Sequence, residues 1–374
     1  MRKVFISGNM AIAEGAVTAG MKFFAGYPIT PASDIMEYLA ERLHKVGGVV
    51  VQFEDEISSI NAVLGASWAG VKSMTATSGP GFSLMVEALG LAVISETPLV
   101  VADIMRAGPS TGVPTKTSQS DVLQVRHGAH GDYVIPVLAP WSVQETFELT
   151  VKAFNIAEFL RTPVIVLSDA VIAHLWESAV LKDPGEIEVV SRKKPTVPPS
   201  EYLPYKPDED LIPPMASFGD GYNVIVESLV HDERGYYRQD PDAYRRLIAR
   251  LTGKIMNYID KVFEAESYYV NDSKYVVVSY GSTARAALAA VRVLRRSGVK
   301  IGLLRLKTLW PLKPEALREP CRNSDVVFVA ENNVGKIIAD VERFVKNAEV
   351  ISLPLLGLEV PTPDEIVEGV KEWL

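Results

Sequence analysis

A single cysteine, Cys321, stands in a chain of 374 residues. It excludes an internal disulfide, and alone it can hold neither an iron–sulfur cluster nor a structural zinc. Any redox metal that this protein works with must sit elsewhere. The five histidines show no spacing of a metal site, so the chain is expected to hold no metal of its own. No apolar run approaches the roughly 18 residues that a membrane span needs, and "MRKVFISGN" reads as a short strand rather than the apolar core of a signal peptide. A cytoplasmic location is the resulting expectation. Basic clusters are scarce too: the net charge is -8, and only Arg192–Lys194 and Arg295–Arg296 group together. That argues against nucleic acid or an anionic membrane as the main partner.

With 48% hydrophobic and 22% charged residues, the chain has an ordinary soluble composition and can bury more than one core. Its first part alternates strand-like runs ("KVFISGN", "KFFAGYP", "GVVVQFE", "KSMTATS", "PLVVADIM", "YVIPVLA", "PVIVLSDA") with helix-like ones ("MAIAEGAVTAG", "PASDIMEYLAERLHKVG", "ISSINAVLGASWAG", "FSLMVEALGLAVISE", "SVQETFELTVKAFNIAEFL"). Such alternation implies a parallel sheet covered on both faces. From Glu188 to Asn223 the pattern gives way to prolines and charges, an ordered but irregular connection. A helix follows, with Asp240 as N-cap, Pro241 at its first position, and Tyr244, Leu247, Leu251, Ile255, Ile259 and Val262 as one buried stripe. The alternation resumes at Tyr275 in a smaller α/β unit. The expected organisation is thus an α/β protein of two doubly wound parallel-sheet domains, 1–187 and 271–374, joined over 188–270 by a Pro-rich linker and a helix.

Ligands of open parallel sheets bind beyond the carboxyl ends of the strands. Four such ends carry dense polar or glycine-rich segments: "YPITPAS", "EDE", "SGPG" and "RAGPSTGVPTKTSQSD". Thr30 before Pro31 suits a helix N-cap, and Ser78–Gly81 suits a tight turn or a close ligand approach. Arg106, at a strand end among glycines and hydroxyls, suits an anion clamp; Lys116 is a weaker candidate. Glu54, Asp55 and Glu56 open a helix, where the macrodipole favours acids. Glu56, however, precedes Ser59, Ile60, Val63 and Ser67, an uncharged stripe on its own side, and is expected to face inward.

On "AEGAVTAGMKFFAGYPITPASDI", "EDEISSINAVLGASWAG", "TATSGPGFSLM", "RAGPSTGVPTKTSQSD" and "YGSTARAA" through "LKTLWPLKP" to "VAENNVGK", the chain resembles the alpha subunits of 2-oxoacid:ferredoxin oxidoreductases, most of all the 2-oxoglutarate type. The resemblance implies a thiamine pyrimidine-binding domain followed by a transketolase C-terminal-like domain. It implies oxidative decarboxylation of a 2-oxoacid with coenzyme A to acyl-CoA, carbon dioxide and reduced ferredoxin, or the reverse. A separate beta subunit would hold the diphosphate of thiamine diphosphate, magnesium and a [4Fe-4S] cluster, with gamma and delta subunits in the four-subunit form. "FGDGYN" (218–223) begins like a thiamine-diphosphate metal signature but lacks the asparagine pair about two dozen residues on, since Asn332-Asn333 lie far beyond. The division of labour therefore fits, and a self-sufficient thiamine decarboxylase or transketolase does not. By resemblance Glu56 is the catalytic glutamate at the pyrimidine; Arg106, Thr30 and Thr111 receive the substrate carboxylate; Tyr27, Pro28, Ile29, Ser78 and Gly79 shape the cofactor pocket. Branched-chain, broad-specificity or pyruvate oxidoreductases, and a non-catalytic scaffold subunit, stay open as alternatives.

Overall fold

The computed structural model describes residues 1–374. Its elements begin as β1 (Arg2–Ser7), α1 (Gly8–Thr18), β2 (Phe23–Gly26), α2 (Ser33–Arg42), β3 (Val49–Gln52) and α3 (Glu56–Trp68). They continue as β4 (Ser73–Thr77), α4 (Gly79–Ile94), β5 (Leu99–Met105), α5 (Val122–His127), β6 (Val137–Leu138), α6 (Val143–Leu160), β7 (Pro163–Asp169), α7 (Ala170–His174) and β8 (Trp176–Leu181). After the irregular segment come α8 (Pro241–Met256), α9 (Ile259–Val262), β9 (Ala265–Tyr268), β10 (Tyr275–Ser279), α10 (Gly281–Arg296) and β11 (Ile301–Leu306). The chain closes with β12 (Thr308–Trp310), α11 (Pro314–Cys321), β13 (Val326–Glu331), α12 (Ile338–Phe344), β14 (Glu349–Pro354) and α13 (Pro363–Lys371).

Strands β5 and β7 are buried at every position, as continuous apolar runs in a sheet covered on both faces must be. Helix starts follow side-chain capping: Asp55 accepts from the Ser58 amide at 2.7 Å, Asp240 from the Ala243 amide at 2.8 Å, and Thr362 with Glu365 forms a capping box on α13. A seven-stranded sheet in the order β12-β6-β7-β5-β4-β2-β3 is parallel except for β12. A five-stranded sheet, β14-β13-β10-β11-β9, is parallel except for β9. The chain is an α/β protein dominated by parallel sheet, and no helix is long and apolar enough to cross a membrane.

Several local expectations are corrected. The opening strand does not enter the parallel sheet; β1 pairs antiparallel with β8 in a separate ribbon, so "PVIVLSDA" does not end the N-terminal series. The helix after Asp240 stops at Met256, and Tyr244 is 45% exposed while Leu247, Leu251 and Ile255 are buried. Thr30 is not a cap: α2 starts at Ser33 with Ala32 in the capping position, because Ile29–Ala32 closes a turn of its own. The irregular segment is tied down by buried cations. Arg161 donates to the carbonyls of Pro204, Pro213 and Pro214, and Arg192 pairs with Glu158 at 2.6 Å. These contacts give a stretch without regular hydrogen bonding the partners its backbone requires.

Candidate active site at the strand ends

Strands β5, β4, β2 and β3 are consecutive neighbours in the large sheet. The four segments singled out by their polar density therefore emerge side by side along one edge. Tyr27, Pro28 and Thr30 are exposed at this rim and Ile29 is half-buried. The backbone carbonyl of Thr30 accepts a 2.7 Å hydrogen bond from the buried Arg106 guanidinium, whose Nε has no partner. The structure thus joins the rim after β2 to the end of β5.

The three acids before α3 separate by position. Glu54 is exposed and accepts from the Ser58 hydroxyl at 3.1 Å, and Asp55 caps the helix. Glu56, the first helical residue, is 4% exposed and its carboxylate accepts no hydrogen bond from another side chain. Burial raises its pKa above the usual carboxylate range, and the charge of Asp55 adds to the rise. The carboxylate lies against the first turn of α4: a Cβ on Gly81 would fall 2.3 Å from its Oε1 and 2.2 Å from Thr77 Oγ1. No other residue fits there. Gly79 plays the same part for a second acid, since its Cβ would fall 2.8 Å from both carboxylate oxygens of Asp121. The N-terminus of α4 is thereby flanked by two carboxylates. Ser78, at the capping position of α4, makes no capping bond and its buried hydroxyl has no partner.

Sequence reasoning missed Asp103 and Asp121 as candidates. Asp103 is fully buried on β5 with both oxygens unbonded, and Asp121 Oδ2 is likewise without a partner. A single acid within the apolar run "PLVVADIM" was the available signal. Burial pushes the Asp121 carboxyl up to about 6 despite the cations Arg106 and Lys336, and holds Asp103 well above its ordinary value. A cleft of about 670 Å³ opens here, with Arg106 and Asp121 on one side and Asn332, Asn333 and Lys336 of the C-terminal half on the other. Gln119 fixes the two sides: its Nε2 donates to Asp169 and the Tyr280 carbonyl, and its Oε1 accepts from the Thr283 hydroxyl and the Asn332 amide. Thr111 is exposed in the loop that turns back on Ala107, and Lys116 pairs with Glu359 on the C-terminal half. The Asn332-Asn333 pair, set aside in sequence for its distance from "FGDGYN", lies at the cleft instead.

Over 98% of this chain the fold matches that of a split-gene transketolase, with a TM-score of 0.56 at 15% identity, a likeness of architecture. The family follows from closer matches. Residues 14–249 match the family "pyruvate flavodoxin/ferredoxin oxidoreductase, thiamine diP-bdg", and residues 273–366 match "pyruvate:ferredoxin oxidoreductase core domain II". The chain belongs to the 2-oxoacid:ferredoxin oxidoreductase family, as a chain of the alpha-subunit type. It is 48% identical to the 2-oxoglutarate synthase subunit KorA of Methanothermobacter marburgensis over 98% of both chains. It is 33% identical to the ketoisovalerate oxidoreductase subunit VorB of Methanothermobacter thermautotrophicus over 100% of this chain and 98% of that relative. The solved 2-oxoglutarate:ferredoxin oxidoreductase of Magnetococcus marinus, with 2-oxoglutarate, coenzyme A and succinyl-CoA bound, matches with a TM-score of 0.94 at 36% identity. That match covers 99% of this chain, which spans 65% of the solved one.

Proposed function

We propose that this chain is the alpha subunit of a thiamine-diphosphate-dependent 2-oxoglutarate:ferredoxin oxidoreductase, converting 2-oxoglutarate and coenzyme A to succinyl-CoA and carbon dioxide while reducing ferredoxin. The observation that carries the reading is Glu56: a buried carboxylate without a side-chain partner, at a strand-end edge, against a helix turn where Gly81 leaves room that a side chain would fill. Those residues fit an aminopyrimidine, whose flat ring needs close backbone and whose N1′ needs a carboxyl partner. Thiamine diphosphate, when bound, supplies the nucleophilic carbon and the electron sink for decarboxylation. Glu56 holds a proton between its carboxyl and N1′, a task suited to a pKa raised by burial. Arg106 and the Thr30 hydroxyl hold the substrate carboxylate, with Thr111 on the loop above them. Tyr27, Pro28, Ile29, Ser78 and Gly79 shape the walls.

The division into a pyrimidine-binding domain (1–187), a linker region (188–270) and a transketolase C-terminal-like domain (271–374) belongs to the same proposal. So do the partners: a beta subunit holding diphosphate, magnesium and a [4Fe-4S] cluster, gamma and delta subunits, and ferredoxin as electron acceptor. The 2-oxoglutarate assignment rests on the KorA relatives, which are 44–48% identical at 98% or more of this chain, against 33–34% for the VorB relatives. Purification of the complex from its native source tests it. Iron, thiamine and coenzyme-A-dependent turnover fastest with 2-oxoglutarate are expected. Faster turnover of branched 2-oxoacids or pyruvate would move the substrate assignment, and lack of an iron–sulfur partner would remove the reading.

A further inference from the structure

Between α8 and the irregular segment lies a second pocket, of about 700 Å³, that the strand-end site does not use. Helix α8 carries Arg246, Arg250 and Lys254 at intervals of four, one above another on a single face. Behind the pocket, the fully buried Glu96 takes Arg250 at 2.6 Å and Lys254 at 2.8 Å, while Arg161 packs against its backbone carbonyl. One carboxylate thus pairs with two cations in a water-poor interior; Lys254 and Arg161 stay buried behind the wall, and Arg250 is the one of the three that lines the cavity, beside Arg246. Burial and the neighbouring arginines bring Lys254 down to about 8, although Glu96 opposes them. Within the wall, Arg234 is paired with Asp232 at 2.7 Å and Glu233 is exposed, whereas Arg246 forms no ion pair. Like charges one turn apart are mutually repulsive, and an anion bridging them reverses that.

The remaining wall is apolar and aromatic. Leu203, Leu247 and the buried Tyr205 line it, and Tyr205 packs on His231 with ring centroids 4.0 Å apart. His231 lines the pocket as well. Its Nδ1 donates to the Leu229 carbonyl at 2.8 Å, and its buried Nε2 has no partner in the chain. The volume falls in the range of small-molecule sites, roughly 300–1,000 Å³.

We propose that this pocket binds a phosphate ester with a flat apolar body, the phosphate on Arg246 and Arg250 and the body against Leu203, Tyr205 and Leu247. The inference stands independently of the strand-end chemistry. Calorimetric titration of the full chain with AMP and, separately, with inorganic phosphate tests it. Saturable one-site binding of AMP, tighter than that of phosphate, is expected, weakened roughly tenfold or more by Arg246→Gln. Arg245→Gln on the same helix, whose guanidinium instead pairs with Asp242 at 2.6 Å, is expected to leave the affinity unchanged. No saturable binding of AMP, phosphate bound as tightly as AMP, or equal losses in the two variants would each overturn the proposal.

Discussion

Asp103, fully buried on β5, and Asp121, half-buried in the cleft wall, form an acid pair in which both Asp103 oxygens and Asp121 Oδ2 have no partner. Two adjacent, poorly hydrated carboxylates resist ionising together, so the folded protein keeps a proton that the unfolded chain releases near its ordinary carboxylate pKa. The sign follows: at these two sites the folded state binds more protons than the unfolded one between about pH 4 and about pH 6, and the pair's contribution to stability falls as pH rises through that window. For Asp121 alone the loss is at most about 3 kcal/mol. Asp121→Asn is expected to gain stability relative to the wild type as pH rises from 4 to 7; a difference between the two denaturation midpoints that stays constant over that range would contradict it. Arg106 carries the opposite charge a few residues away. In the assembled enzyme, Arg106→Ala is expected to lower kcat/KM for the 2-oxoacid roughly 10- to 100-fold, the loss of one charge-assisted clamp, without changing assembly.

At the scale of elements, α4 brings the site together, and its glycines are not equivalent. An alanine methyl at Gly81 collides with Glu56 Oε1 and Thr77 Oγ1, whereas at Gly90 the nearest atom is 3.9 Å away. Gly81→Ala is expected to destabilise by about 1–3 kcal/mol through overpacking, and Gly90→Ala to stabilise by about 0.5–1 kcal/mol through helix propensity. Urea denaturation of the two variants measures both signs. Much of this was legible in sequence. The alternation named the strands, and the polar density after four of them marked an edge that the sheet order makes continuous. Glu56 could be separated from Glu54 and Asp55 because the helix stripe beneath it has no charge. What escaped was non-local. The three residues of β12 pair with β6, some 170 positions earlier, and nothing in "TLW" announces that partner. The β1–β8 ribbon is hidden for the same reason. Asp121, Gln119 and Asn333 meet only because two halves of the chain are packed together.

That packing governs the whole molecule. The C-terminal half lends β12 to the N-terminal sheet, and one hydrophobic core runs from Val101 and Ile165 to Leu304 and Val327. Arg305 on β11 is held by Glu145 on α6 through two bonds of 2.5 and 2.7 Å and stacks over Trp141 at 3.9 Å. Arg126 and Asp340 form another bridge between the halves, at 2.6 Å. Calorimetry is expected to show one cooperative unfolding transition rather than one for each half. Glu145→Gln, which leaves the Arg305 charge buried with weakened pairing, is expected to cost up to about 3–5 kcal/mol within that single transition. Two resolved transitions would contradict the continuous core. The central claim concerns Glu56, and it is tested most directly by deuterium exchange at C2 of thiamine diphosphate bound to the reconstituted complex. With Glu56→Gln, the exchange rate is predicted to fall roughly 10²- to 10⁴-fold while subunit assembly and cofactor content stay the same; an unchanged rate in a fully assembled, cofactor-loaded variant would contradict the account.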